Sequence, residues 1–370
     1  MPTTGNEVSL YFHIPFCTRK CPYCHFYVTP DKQSSKDLLL QALKQEWNLQ
    51  KEKVKDKKVV SIYFGGGTPA LFGPGPIQTI LSWIRVSPDC EITLEANPEE
   101  ITLELMQAYK ASGINRVSIG VQSLDDNLLK ILGRTHSAEK ALQGIKATYE
   151  AGLTNISIDL MYEIPYQTLP VWQATLDLLA DLPIKHLSLY NLTIEPQTLF
   201  FKKSKQLSPH LPSPDTCLEM LNAAVEAFET IGLKRYEISA FSQSGYESCH
   251  NTGYWKGRPF LGFGPSAFSY WEGKRFRNIA NLQKYAQKLK ETLSPIDFEE
   301  TLSPTAQKRE LLAIALRRLE GVSIQDYPVD SSLYQELLSK GWISIEKKRA
   351  KLTPEGLLFY DLVGETLVEV

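Results

Sequence analysis

Residues 9–26 read Ser9-Leu-Tyr11-Phe-His13-Ile-Pro-Phe-Cys17-Thr-Arg-Lys-Cys21-Pro-Tyr23-Cys24-His25-Phe26. The run up to His13 is short and rich in large apolar and aromatic residues, as a buried strand is. Immediately after it come three cysteines in a C-x3-C-x2-C spacing. Three thiolates on one loop suit three irons of a [4Fe–4S] cube and leave the fourth iron open to a ligand. Two other readings stand beside this one. His13 or His25 could complete a tetrahedral zinc site, or the thiols bind no metal. The chain has 370 residues and six cysteines and opens without a charged or apolar leader, so a disulfide framework is not expected.

Outward from this loop, the chain repeats strand and helix. Ser9–His13, Val59–Phe64, Glu91–Ala96, Arg116–Val121, Asn155–Leu160 and His186–Tyr190 read as strands buried on both faces. Between them, Lys36–Lys51 carries Leu38, Leu39, Leu43 and Trp47 on one face, and Leu103–Ala111, Ala138–Glu150 and Val171–Leu179 follow the same periodicity. Such alternation predicts right-handed βαβ units. The fold class expected is α/β, a partial (β/α)6 barrel of TIM type, with a doubly wound open sheet as the alternative. Ser204–Pro214, with its three prolines, reads as a loop. Thr216–Ile231 reads as a helix with Leu218, Leu221, Val225 and Phe228 on one face, and residues 241–277 as an irregular, site-forming segment. Beyond residue 290 the character changes. Helices over Pro304–Arg318 and Ser331–Lys340, a hairpin turning at Lys347-Lys348-Arg349 and a helix opening at Pro354 predict a small helical, winged-helix-like domain over residues 291–370. Residues 1–290 then form the barrel and its extension.

Charge narrows the function. Forty Lys and Arg balance 42 Asp and Glu, so no nucleic-acid partner held by bulk positive charge is expected. No apolar run approaches the ~18 residues of a membrane helix, and a cytoplasmic chain is expected.

Polar groups recur where strands end. Gly65-Gly66-Gly67-Thr68-Pro69 follows the second strand, where backbone without Cβ atoms can approach a ligand, although a plain glycine turn would read the same. Glu95 ends the third strand, Gln122 ends the fourth with Arg134 beyond it, and Asp159 lies in the fifth. In a βα barrel these positions share the C-terminal rim.

The cysteine spacing after a first strand resembles the radical S-adenosylmethionine (SAM) superfamily. The order Tyr-x-His-Ile-Pro-Phe-Cys, Gly-Gly-Gly-Thr-Pro, Glu-Ala-Asn-Pro, Gly-Val-Gln-Ser and Ile-Asp-Leu-Met-Tyr is similar to its oxygen-independent coproporphyrinogen dehydrogenase group, over nearly the whole chain. The resemblance implies that Cys17, Cys21 and Cys24 ligate the cluster, whose open iron chelates SAM for reductive cleavage to a 5′-deoxyadenosyl radical. It implies further that Tyr11, Tyr23, Gly66 and Glu95 contact that SAM. Gly67, Thr68, Gln122, Arg134 and Asp159 match contacts to a second SAM, and Thr193 and Phe268 also fall at ligand positions.

Two features depart from the dehydrogenases. They continue C-x3-C-x2-C-x-C where this chain has Phe26, and they carry a longer arm before the first strand. Both departures resemble the haem chaperone (HemW-type) branch, as does His250-Asn-Thr-Gly-Tyr254-Trp255, which matches its H-N-x-x-Y-W motif. That resemblance implies haem as a cofactor or cargo with His250 as its ligand, Cys249 as an alternative, and an unidentified haem acceptor protein as partner. A packed aromatic loop with a hydrogen-bonded His250 is the plain structural reading of the same residues. The group usually has Gly where this chain has Glu163, at the turn after the fifth strand.

Overall fold

A computed structural model describes residues 5–368. All six expected strands form, each one to five residues longer than its apolar run: β1 (Glu7–Ile14), β2 (Lys58–Gly66), β3 (Val86–Ala96), β4 (Arg116–Gln122), β5 (Asn155–Tyr162) and β6 (His186–Asn191). Each pairs in parallel with the next in chain order. An order without reversal is that of a barrel wound in one direction, and it excludes the doubly wound alternative, whose strand order reverses at a switch point. β4 shows why the run is apolar on both faces: all its residues except Gln122 are buried.

The sheet is extended at both ends. After β6 come the short antiparallel strands β7 (Lys234–Glu237) and β8 (Ala240–Ser242), with β8 against β6 and β7 outermost. On the other side, β9 (Phe260–Phe263) pairs in parallel with β1, and β10 (Phe268–Trp271), β11 (Lys274–Asn278) and β12 (Ile296–Thr301) follow antiparallel. The twelve strands thus form one open sheet with β12 and β7 at its edges. A partial barrel of this kind keeps a lateral opening.

Residues 241–277 are therefore more regular than their composition predicts. They hold helix Cys249–Trp255 and three strands. β10 and β11 meet at Glu272-Gly273, both at positive φ, the two-residue turn whose twist suits a hairpin. Ser204–Pro214 is likewise no simple loop: it contains a short helix, Ser204–Leu207, and a 3-10 turn, Ser208–His210. The helix that follows, Pro214–Thr230, buries Met220, Ala224 and Phe228, while Leu218, expected inside, faces outward.

The main sheet runs to Thr301, past residue 290, and a separate hydrophobic cluster begins at Leu312. Helices Pro304–Ala315 and Ser331–Ser339 pack with a three-stranded sheet of Val322–Ser323, Ile343–Glu346 and Arg349–Leu352. Its hairpin turns at Lys347-Lys348, both at positive φ, where the sequence predicts the wing. No helix is long and apolar enough to cross a membrane among the described residues.

Candidate functional site

The cysteine loop leaves β1 and returns through a two-residue parallel pairing of Phe16–Cys17 with Thr29–Pro30. It closes over a cavity of about 480 Å³ at the C-terminal ends of the barrel strands. Cys17, Cys21, Cys24, Tyr23, Gly66, Gly67, Thr68, Glu95, Gln122, Arg134, Asp159 and Thr193 all line it. Residues spread over more than 170 positions of sequence meet here because parallel strands wound in one direction deliver all their C-terminal ends to one rim.

The walls are tied together by a chain of polar contacts. Thr68 Oγ1 lies 3.7 Å from Cys17 Sγ and accepts from Asn97 Nδ2 at 2.8 Å. Asn97 Oδ1 accepts from Arg134 Nη2 at 2.7 Å, and Arg134 Nη1 donates to Cys21 Sγ at 3.6 Å. Two of the cysteines are thus joined through residues that follow β2, β3 and the helix Asp126–Ile131. Asn97, the third residue of Glu-Ala-Asn-Pro, is not among the site residues expected from the sequence. A polar residue two beyond Glu95, just after the strand, is the signal that could have found it.

Glu95 accepts from Tyr63 OH at 2.8 Å and from Gly66 N at 3.1 Å. Burial pushes its carboxyl up to about 7. Burial likewise raises Asp159 to about 6, with Ser118 Oγ 3.4 Å from its carboxylate. Two carboxylates poised this way, beside an arginine, can receive an amino group on one side of the cavity and a carboxylate on the other. Cys17 is pushed up to about 11, again chiefly by burial. The glycines answer to packing as well as to a ligand. A Cβ on Gly66, at φ 116°, would lie 2.6 Å from the His13 ring, and one on Gly67 would lie 2.6 Å from Phe16 O.

Three expected residues lie elsewhere. Side chains alternate across a strand, so Tyr11 and His13 share one face of β1. That face is the one that carries Tyr63, the register partner of Tyr11, and Glu95, which accepts from Tyr63; on it Tyr11 lines a second cavity of about 520 Å³, beside β9 and β10, rather than the cysteine cavity. Phe268 lines the second cavity too. His250 reaches neither. It is 1% exposed, its Nδ1 is 3.0 Å from Ser61 Oγ and its Nε2 is 2.7 Å from Tyr254 OH. Its backbone N–H and that of Cys249 both donate to Glu91, which caps the helix. Burial, with Arg258 and Arg116 adding to it, lowers its imidazole to about 3. His250, expected as a haem ligand, thus has both ring nitrogens engaged within the fold and packs as a buried, hydrogen-bonded histidine.

A family profile described as the Radical SAM superfamily matches residues 11–179. A Bacillus subtilis protein named heme chaperone HemW is 31% identical over 98% of this chain and 100% of its own length. The chain belongs to the HemW branch of the radical SAM superfamily. A zebrafish relative named radical S-adenosyl methionine domain-containing protein 1, mitochondrial, is 30% identical over 100% of this chain and 88% of its own. Among solved structures, Escherichia coli coproporphyrinogen III oxidase (HemN), described as a radical SAM enzyme, superposes with a TM-score of 0.85 at 24% identity. It covers 98% of this chain and 90% of that one, and it shares the fold.

The donor set fits the cluster that the superfamily implies. Cys17, Cys21 and Cys24 all line one cavity, as one thiolate for each of three irons requires. His13 is committed to Tyr11 OH and Tyr27 O, at 3.1 and 3.0 Å.

Proposed function

We propose that this HemW-branch chain is a cytoplasmic haem chaperone that binds one [4Fe–4S] cluster, SAM and haem, and passes haem to an acceptor protein. The observation that carries the reading is the end-to-end likeness to a relative named a haem chaperone. Cys17, Cys21 and Cys24 would hold the cluster, and a reduced cluster with an open iron supplies the electron for SAM cleavage. The chain's own groups bind and orient. Gly66 and Glu95, which line the cysteine cavity, would take the amino group of SAM, Tyr23 its adenine, and Thr68, Gln122, Arg134 and Asp159 would serve the far side of the cavity. Phe26, 54% exposed, stands where the dehydrogenases carry a further cysteine, which supports the chaperone over the enzyme.

The test is anaerobic reconstitution followed by parallel assays of haem uptake and coproporphyrinogen turnover. The expected protein carries about four iron and four sulfide per chain, binds haem and makes no protoporphyrinogen. SAM-dependent conversion of coproporphyrinogen by the wild type would establish the dehydrogenase instead. Stoichiometric zinc without labile sulfide would reject the cluster.

A further inference from the structure

The second cavity lies between the β9–β10 side of the barrel and helix Pro304–Ala315 of the C-terminal domain, which contributes Glu310, Leu311 and Ile314. Its volume of about 520 Å³ is that of a pocket for a large organic ligand, typically ~300–1,000 Å³. Its walls are aromatic: Tyr27, Tyr254, Trp255, Phe260, Phe268 and Tyr270. Flat rings of this kind receive a flat conjugated ligand by stacking. Polar donors are not absent. Trp255 Nε1 and Arg258 Nε, both buried, have no hydrogen-bond partner, and both residues line the cavity. Unpartnered buried donors are costly unless a ligand acceptor meets them.

The imidazoles can be counted one by one. His13 and His250 have both ring nitrogens engaged, as above. His136, His186 and His210 line neither this cavity nor the cysteine cavity. His25 lines both. It is exposed, its ring rests on Phe26 at a centroid distance of 4.5 Å, and neither of its nitrogens is hydrogen-bonded among the described residues. Phe26 too lines both cavities. The pair Cys24-His25 therefore places a cluster thiol and a free imidazole on adjacent residues of one loop.

We infer that the aromatic cavity seats the porphyrin and that His25, not His250, ligates its iron. This rests on the haem reading above and assigns that reading a place. The imidazole donates a lone pair to iron; no covalent bond breaks and no electron is transferred. The H-N-x-x-Y-W motif serves this cavity through its last two residues, with His250 fixing Tyr254 from behind by the 2.7 Å hydrogen bond. Because His25 adjoins Cys24, the same loop that wraps the cluster sets the position of the haem ligand.

The experiment titrates reconstituted full-length protein with ferric haem and, separately, with metal-free protoporphyrin IX. The variants are His25→Ala, His250→Ala and Phe268→Glu, and iron and sulfide are measured in each. His25→Ala is expected to keep its cluster, to move the Soret band, to lose about tenfold or more in haem affinity and to recover the band on addition of imidazole. Protoporphyrin IX, which has no iron to ligate, should bind His25→Ala as it binds wild type and should be rejected by Phe268→Glu, which puts a charge on the apolar wall. An unchanged Soret band and affinity in His25→Ala would overturn the ligand assignment, most plainly if His250→Ala abolished both. Unchanged protoporphyrin binding in Phe268→Glu would overturn the cavity. If the wild type takes up no haem, the chaperone reading fails, and this inference with it.

Discussion

Glu46 offers a prediction whose size follows from the structure. It lies on the helix Gln33–Val54 and is 1% exposed. Its carboxylate accepts from Gly264 N at 2.9 Å, Asn278 Nδ2 at 2.6 Å and Tyr285 OH at 2.5 Å. No Lys or Arg acts on it, and burial pushes it from 4.5 up to about 7. The Gly264 contact holds the turn that leads into β10 and so into the aromatic cavity. A carboxyl whose folded value is raised binds its proton more tightly in the folded chain. Its contribution is therefore fully present below 4.5 and is lost as pH rises through about 7. At about 1.4 kcal/mol per pH unit, the rise amounts to about 3 kcal/mol. Most of it, roughly 2–3 kcal/mol, falls between about pH 5 and about pH 8. Glu46→Gln keeps the shape and removes the titration. It puts an amide NH2 where an acceptor stood, at a cost of about 1 kcal/mol that does not vary with pH. Urea unfolding of identically prepared wild type and variant should show the variant less stable at the acid end and more stable at the alkaline end. Glu95 and Asp159 titrate in the same direction in both chains, so the difference isolates Glu46. Parallel stability curves across that range would refute the reasoning.

Other changes have equally defined outcomes. Gly66→Ala combines a positive φ with a Cβ 2.6 Å from the His13 ring, and thermal unfolding should report a loss of about 1–3 kcal/mol. Glu163 adopts φ 65° where a glycine would rest without strain, so Glu163→Gly should stabilise by up to about 1 kcal/mol in the same assay, and a loss would show that its side chain matters more than its backbone. Arg134→Met strands Asn97 Oδ1, Gly120 O and Cys21 Sγ; it should cost about 1–3 kcal/mol and speed iron loss to a chelator relative to wild type. Glu95→Ala should weaken SAM binding in equilibrium dialysis while the cluster absorption stays, and undiminished affinity would remove Glu95 from the SAM site.

The cysteine loop, the glycine turn and the strand-end residues were legible because the barrel makes its site from positions that local pattern already marks. The cysteine loop, the glycine turn, Glu95 and Gln122 each stand at or just beyond the end of an apolar run, and one-way winding sends all such ends to one rim. The hairpins at Glu272-Gly273 and Lys347-Lys348 show the limits of local reading. Both turn on paired positive-φ residues, but only the second lies between cleanly alternating strands. The first is hidden in an aromatic segment whose side chains serve a cavity as well as a core.

The sequence by itself determined where six strands lie along the chain, the C-x3-C-x2-C loop at the head of the barrel and the membership of this chain in its superfamily, since these depend on periodicity and spacing along the chain; the order of those strands in the sheet came from the tertiary structure. The sequence could not say which of two cavities on one face of the sheet each aromatic would line, because that depends on which strands and helices stand beside it in space. The tertiary structure decided that Tyr11 and Phe268 line a second cavity. It also decided that Asn97 links Thr68 to Arg134 and that His250 is closed off between Ser61 and Tyr254. The availability of a histidine is a matter of who its neighbours are, and here they come from 189 positions away on one side and four on the other.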